Sequence, residues 1–141
     1  ALDYATALNC KQLNCLAGIA PAGADRDKVR ATFVSNLRFA ADKLGAAGIK
    51  VLTEPINTFD IPGFFLSHTQ QALDILRDAG ATNLYVLYDI YHMQRMEGEL
   101  ANTVQKNLPR IAHLQPAARG ARARAPSWKW RAAIPITPPP R

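Results

Sequence analysis

A parallel α/β sheet is the fold class this sequence predicts, on three observations. Short apolar runs alternate with amphipathic helical patterns in the order strand, helix, strand, helix, strand, helix, strand. The connections between them are short, which favours a parallel sheet with helical crossovers, either a (β/α) barrel or an open doubly wound sheet. Three of the apolar runs end in a polar side chain able to bind a metal: VLTEPIN at Glu54, NLYVLYDIYHMQ at Asp89 and His92, and RIAHLQ at Gln115. Side chains at the carboxyl ends of parallel strands converge on one rim, so such endings point to a shared site.

In chain order, residues 1–8 are apolar and helix-compatible but begin without a cap. KQLNCLAG (residues 11–18) alternates polar and apolar residues and then meets Gly18, Pro21 and Gly23, which predicts a strand and a loop; Asn14 fits either side of that strand. Asp25 is placed to cap a helix whose stripe is Val29, Phe33, Leu37, Ala40, Ala41 and Leu44, closed by Gly45 and Gly48. Ile49, Val51 and Leu52 make a short buried strand, and Pro55, with no N–H to donate, ends it just past Glu54.

Residues 57–66 (NTFDIPGFFL) form a long loop, and its phenylalanines predict an ordered one that covers something. Ser67 with Gln70 has the form of a capping box, opening a helix through Ala72, Leu73, Leu76 and Ala79 to Gly80. Residues 84–88 are the next strand, residues 97–108 the next helix, and residues 111–114 the last strand. Four strands amount to about half of a closed eight-stranded barrel, which takes about 250 residues.

Composition narrows the function classes. Of 17 basic and 11 acidic residues, six basic and no acidic ones lie in residues 116–141, so residues 1–115 are neutral. The expected division is a barrel-type domain over residues 1–115 and an irregular, basic, Pro-rich tail over 116–141, which holds 6 of the 10 prolines and both tryptophans. Arg119, Arg122, Arg124, Lys129 and Arg131 with Trp128 and Trp130 resemble a nucleic-acid contact, but a basic tail of this kind more often only solvates, so a nucleic-acid partner is not expected. Cys10 and Cys15 have no second pair and no nearby histidine, which favours reduced thiols over a zinc site or disulfide. No apolar run reaches about 18 residues and no secretion signal is seen. A soluble cytoplasmic protein without a membrane partner is the expectation.

Each candidate has a plain structural alternative. A lone strand-end Glu54 faces solvent in most folds, a lone His92 is usually a satisfied imidazole, and His113, two residues before Gln115 on the same side, is expected to lie deeper and packed. Three coincident strand ends shift the balance toward a site. Glu54, Asp89 and the amide oxygen of Gln115 are the oxygen ligands that Mg²⁺ or Mn²⁺ prefers, with His92 as a neighbouring hydrogen-bonding group. A metal beside an acid/base carboxylate suits aldose–ketose isomerisation of a small hydroxy-oxo compound.

VLTEPINTFDIPGFF, YDIYHMQRMEGEL and IAHLQ closely resemble the hydroxypyruvate isomerase family, a branch of the xylose-isomerase-like TIM barrels that also includes 2-oxo-tetronate isomerases; the resemblance covers about residues 5–115. It implies a (β/α)₈ barrel, here as a partial barrel of about four units (its fourth to seventh strands), truncated at both ends. It also implies interconversion of hydroxypyruvate and 2-hydroxy-3-oxopropanoate through an enediol, with 2-oxo-tetronate isomerisation as the alternative. By motif, Glu54 matches the first catalytic glutamate and a metal ligand, Asp89 and Gln115 match further ligands, and His92 matches a substrate-binding histidine. Related sugar epimerases and barrel endonucleases tend to carry histidine where Gln115 stands.

The family's second catalytic glutamate has no counterpart, since no Glu follows Glu99. Residues 116–141 differ from the loop the family usually carries there, and a reading-frame change or aberrant end is the expected origin. Low or no activity of the isolated chain, a non-catalytic fragment with only binding function, and association with a second copy through open sheet edges are the corresponding expectations.

Overall fold

Strands β1 (Gln12–Asn14), β2 (Lys50–Thr53), β3 (Leu84–Asp89) and β4 (Ile111–Gln115) form one sheet in the order β1-β2-β3-β4, every pair parallel. The computed structural model describes residues 1–116, and the tail expected over 116–141 lies, apart from Pro116, outside them. Helices α1 (Leu2–Ala7), α2 (Arg26–Gly45), α3 (Thr69–Ala79), α4 (Ile90–Met96) and α5 (Leu100–Asn107), with a 3₁₀ turn at Leu108–Arg110, supply the connections. The predicted alternation is therefore present.

The cap at Asp25 forms as expected: its Oδ1 accepts from the N–H groups of Asp27 (2.9 Å) and Lys28 (3.3 Å). Phe33, Leu37 and Ala41 of the α2 stripe are buried, and α2 packs on β2 while α3 packs on β3. Period-two alternation sends Val51, Leu84, Val86 and Tyr88 to this helix-covered face, where all four are fully buried. Asn83 joins the layers, its Nδ2 donating to the carbonyls of Ala41 (2.9 Å) and Ile49 (3.3 Å). A Cβ at Gly45 would sit 2.9 Å from that same nitrogen, so a larger residue there would push the Asn83 amide off these two bonds.

Two local expectations are corrected. The capping box at Ser67 and Gln70 does not form, because His68 is the N-cap and makes no side-chain cap. The carboxylate of Glu97 takes that place, accepting from the N–H of Thr69 and from its hydroxyl (2.8 Å), while Gln71 rather than Gln70 binds the Ser67 N–H (3.1 Å). Helix α4 also starts directly after β3 with no breaker residue between them, so the aromatic run around it hides its period, and the following helix begins at Leu100 rather than Glu97.

The β3–β4 pairing contains a bulge. Val86 pairs with Ile111 but Leu87 pairs with His113, leaving Ala112 as the extra residue. In regular register Leu114 would oppose Asp89. The bulge reverses the parity of β4, so Gln115 opposes Asp89 instead. Gln12 of the other edge strand donates from its Nε2 to the carbonyl of Ala112 at 3.3 Å, so the sheet is curled enough for its two outer strands to touch across the concave face.

His113 is corrected as well. It shares a side with Gln115, as alternation requires, but it is exposed rather than packed. It lines an open concavity of about 450 Å³ with Cys10, Lys11, Gln12, Asn14, Leu52 and Leu87, because no described element covers that face.

Candidate metal and proton-transfer site

Glu54 follows the last residue of β2, and Pro55 behind it withholds the N–H that would have continued the ladder. The residue is nevertheless only 8% exposed, so the solvent-facing alternative does not hold. One oxygen, Oε2, accepts from Asn14 Nδ2 of β1 at 2.8 Å, and the other, Oε1, lies 3.7 Å from His92 Nε2. Asn14 thus faces the concave side, a choice the strand pattern left open.

Asp89 ends β3 and is fully buried. It is also the N-cap of α4, with Oδ1 accepting from the His92 N–H at 3.2 Å. The three-residue spacing of Asp89 and His92 is therefore one capped helical turn, which brings the imidazole back over the strand end. His92 is 4% exposed. Ligand atoms of Glu54, Asp89 and His92 all lie within 4.8 Å of one another, a group able to hold a metal ion. Two buried carboxylates packed this closely repel unless a cation or hydrogen-bond donors balance them, so the donor set suits a hard cation.

Gln115 is the Cα partner of Asp89 and is half-buried. The rim therefore carries every residue named from the sequence: Glu54 and Asp89 on the central strands, Gln115 on the edge, and His92 above them.

Sequence reasoning missed Asn57. It is fully buried, and its side-chain Nδ2 lies 2.7 Å from His92 Nδ1, with its backbone N–H donating to the same nitrogen at 3.4 Å. The only signal was its place three residues after Glu54 in an apolar run. The loop that contains it is ordered as expected: Phe64, Phe65 and Leu66 are buried, whereas Phe59 is exposed with the Arg95 guanidinium 4.8 Å from its ring centroid. Both cysteines are free, and burial pushes the Cys15 thiol up, away from reactive thiolate. No described helix is long and apolar enough to cross a membrane.

Parallel strands with helical crossovers and a polar cluster at the strands' carboxyl rim define a (β/α)-barrel protein with its site at the usual end. The family model for xylose isomerase-like TIM barrels matches residues 1–126, and the chain belongs to that family. It is 54% identical over 115 residues to hydroxypyruvate isomerase of Escherichia coli (strain K12), covering 82% of this chain and 45% of that protein. It is 43% identical over 115 residues to 2-oxo-tetronate isomerase of Cupriavidus necator, covering 82% of this chain and 44% of that one. Among solved structures, an AP endonuclease, family 2 from Brucella melitensis superposes with a TM-score of 0.77 at 40% identity, covering 80% of this chain and 43% of that chain. The chain thus spans about half the length of the relatives it matches.

Proposed function

We propose that this chain carries the metal-binding rim and one proton-transfer carboxylate of an aldose–ketose isomerase that interconverts hydroxypyruvate and 2-hydroxy-3-oxopropanoate. The observation that carries the reading is the meeting of Glu54, Asp89 and His92, all buried, at the ends of adjacent strands. Glu54, Asp89 and Gln115 would hold Mg²⁺ or Mn²⁺ through oxygen. Such an ion supplies polarisation of the substrate's adjacent carbonyl and hydroxyl oxygens, which acidifies the C–H between them.

The chain's own residues do the rest. Glu54 takes a proton from the hydroxymethyl carbon of hydroxypyruvate, leaving an enediolate whose charge lies on the inner oxygen. The terminal O–H proton passes to that inner oxygen and Glu54 returns its proton to the neighbouring carbon, so atoms and charge balance. Asn14 holds one Glu54 oxygen, which orients the other toward the substrate side. His92 stands beside Glu54, within reach of a substrate oxygen. A cytoplasmic setting fits two free thiols.

The test separates the half-reaction from full turnover. The 141-residue chain is loaded with Mn²⁺ and incubated with hydroxypyruvate in D₂O, and deuterium at the hydroxymethyl carbon is followed by NMR. Enzyme-dependent exchange is expected, together with Mn²⁺ binding seen by paramagnetic resonance; neither binding nor exchange would sink the reading. The likeness to 2-oxo-tetronate isomerase favours a second substrate of the same class, so a 2-oxo-tetronate is run in parallel, and the faster exchange identifies the substrate.

A further inference from the structure

The helix that carries His92 is tied back to that residue's own imidazole through the loop after β2. Two N–H groups of Asn57 converge on His92 Nδ1: the side-chain amide at 2.7 Å and the backbone N–H at 3.4 Å. A nitrogen facing two donors must offer its lone pair, so the proton of neutral His92 sits on Nε2, the nitrogen turned toward Glu54 at 3.7 Å.

That conclusion depends on the amide orientation of Asn57, and Asp60 determines it. Asn57 Oδ1 accepts from the Asp60 N–H at 2.9 Å, and Asn57 Nδ2 donates to Asp60 Oδ2 at 3.0 Å. Rotating the amide by half a turn would set an NH₂ against that N–H and a carbonyl oxygen against the carboxylate. Both Asp60 contacts would become repulsive, whichever tautomer His92 holds. Asp60 is itself held by α4: the Tyr91 hydroxyl donates to Oδ2 at 2.8 Å, and the Arg95 guanidinium pairs with Oδ1. The circuit runs from Tyr91 and Arg95 through Asp60 and Asn57 to His92.

We propose that Asn57, oriented by Asp60, is a positioning residue that fixes His92 as the Nε2–H tautomer, so that His92 enters the site as a hydrogen-bond donor and not as a metal ligand. The part of this inference that concerns substrate rests on the isomerase reading above. A neutral imidazole protonated on Nε2 has no lone pair to give an ion there, which leaves coordination to Glu54, Asp89 and Gln115. The close group of three is then two ligands and one donor.

The sequence contains three histidines, so long-range ¹H–¹⁵N spectra of the histidine-labelled 141-residue chain can be assigned with His92→Gln as the blank. The metal-free wild type is expected to show His92 with a bare Nδ1 and a protonated Nε2. Asn57→Asp places an acceptor opposite Nδ1, and the pattern is expected to invert or to show both nitrogens protonated. Asp60→Ala frees the amide, and the two nitrogens are expected to move toward averaged shifts; it also serves if Asn57→Asp does not fold. A protonated Nδ1 in the wild type, or an unchanged pattern in Asp60→Ala, overturns the proposal.

Deuterium exchange into hydroxypyruvate should slow about 10–100-fold in Asp60→Ala, the usual scale for losing an outer-shell partner. An unchanged exchange rate beside a changed tautomer would reject the positioning role. The spectra need neither metal nor substrate. Failure of the isomerase reading would therefore leave the tautomer result standing, and failure of the tautomer result would leave Mn²⁺ binding and exchange standing.

Discussion

The two central strands and the two edge strands contribute to the same rim by different means. β2 and β3 are flanked on both sides and roofed by α2 and α3, and the carboxylates at their ends, Glu54 and Asp89, are buried with them. Among the described residues β1 and β4 each have one neighbour, and what they bring is more exposed: Asn14, His113 and Leu114 are exposed and Gln115 is half-buried. Burial alone places the central pair. The edge residues need specific devices, namely the Asn14 bond to Glu54 and the Ala112 bulge. A buried carboxylate is costly unless matched, and on the proposed reading the centre supplies both carboxylates while the edges supply the amides that match them.

The sharpest way to break this contrast is to remove chemistry from the centre. Glu54→Gln keeps the shape and deletes the base, so deuterium exchange should fall about 10²–10⁴-fold; retention of the rate would move proton transfer to another residue. Next in size is packing. Leu37→Ala, beneath the central strands and fully buried, should cost about 2–5 kcal/mol in denaturant unfolding. Leu114→Ala on β4, 43% exposed, should stay within about 0.5 kcal/mol, and equal losses at the two positions would erase the distinction.

A ligand test on the edge strand sharpens it further. Gln115→Ala removes the amide that stands opposite Asp89 and leaves the strand pairing intact. Mn²⁺ affinity should then drop at least about 10-fold, measured by titration, with far-UV circular dichroism reporting that the sheet remains. Unchanged affinity would remove Gln115 from the ligand set.

The smallest effect concerns acid stability at the loop that ties the centre to α4. Partial burial pushes the Asp60 carboxyl up, but hydrogen bonds from Asn57, Tyr91 and Arg95 and the Arg95 charge outweigh it, so the group sits below the ordinary carboxylate range. The folded state thus favours the ionised form. Its contribution is complete above the unfolded pKa of about 3.9 and disappears as the pH falls through the lower folded value. Asp60→Asn should flatten that segment of the acid-unfolding curve, and an identical slope in the variant would contradict the assignment.

Much of this was legible in order along the chain. The Asp25 cap, the α2 stripe and the stop at Pro55 are local signals, each carried by a few neighbouring residues. Glu54, Asp89 and Gln115 could be named because a strand's end is marked by where its apolar run stops. Helix α4 was not legible, since a short aromatic helix that follows a strand directly has no punctuation. The Ser67 cap failed because a distant carboxylate, Glu97, reached the Thr69 N–H instead.

By itself the sequence determined the parallel α/β order and the strand-end residues, because apolar periodicity and breaker residues act over a few positions, and its motifs carried the family resemblance. Only the tertiary structure decided that Asn14 reaches Glu54 and Asn57 reaches His92, that His113 is exposed, and that a bulge at Ala112 brings Gln115 beside Asp89. Those outcomes depend on inter-strand register and sheet curl, which join residues from 26 to 100 positions apart and leave no mark on the neighbours of either partner.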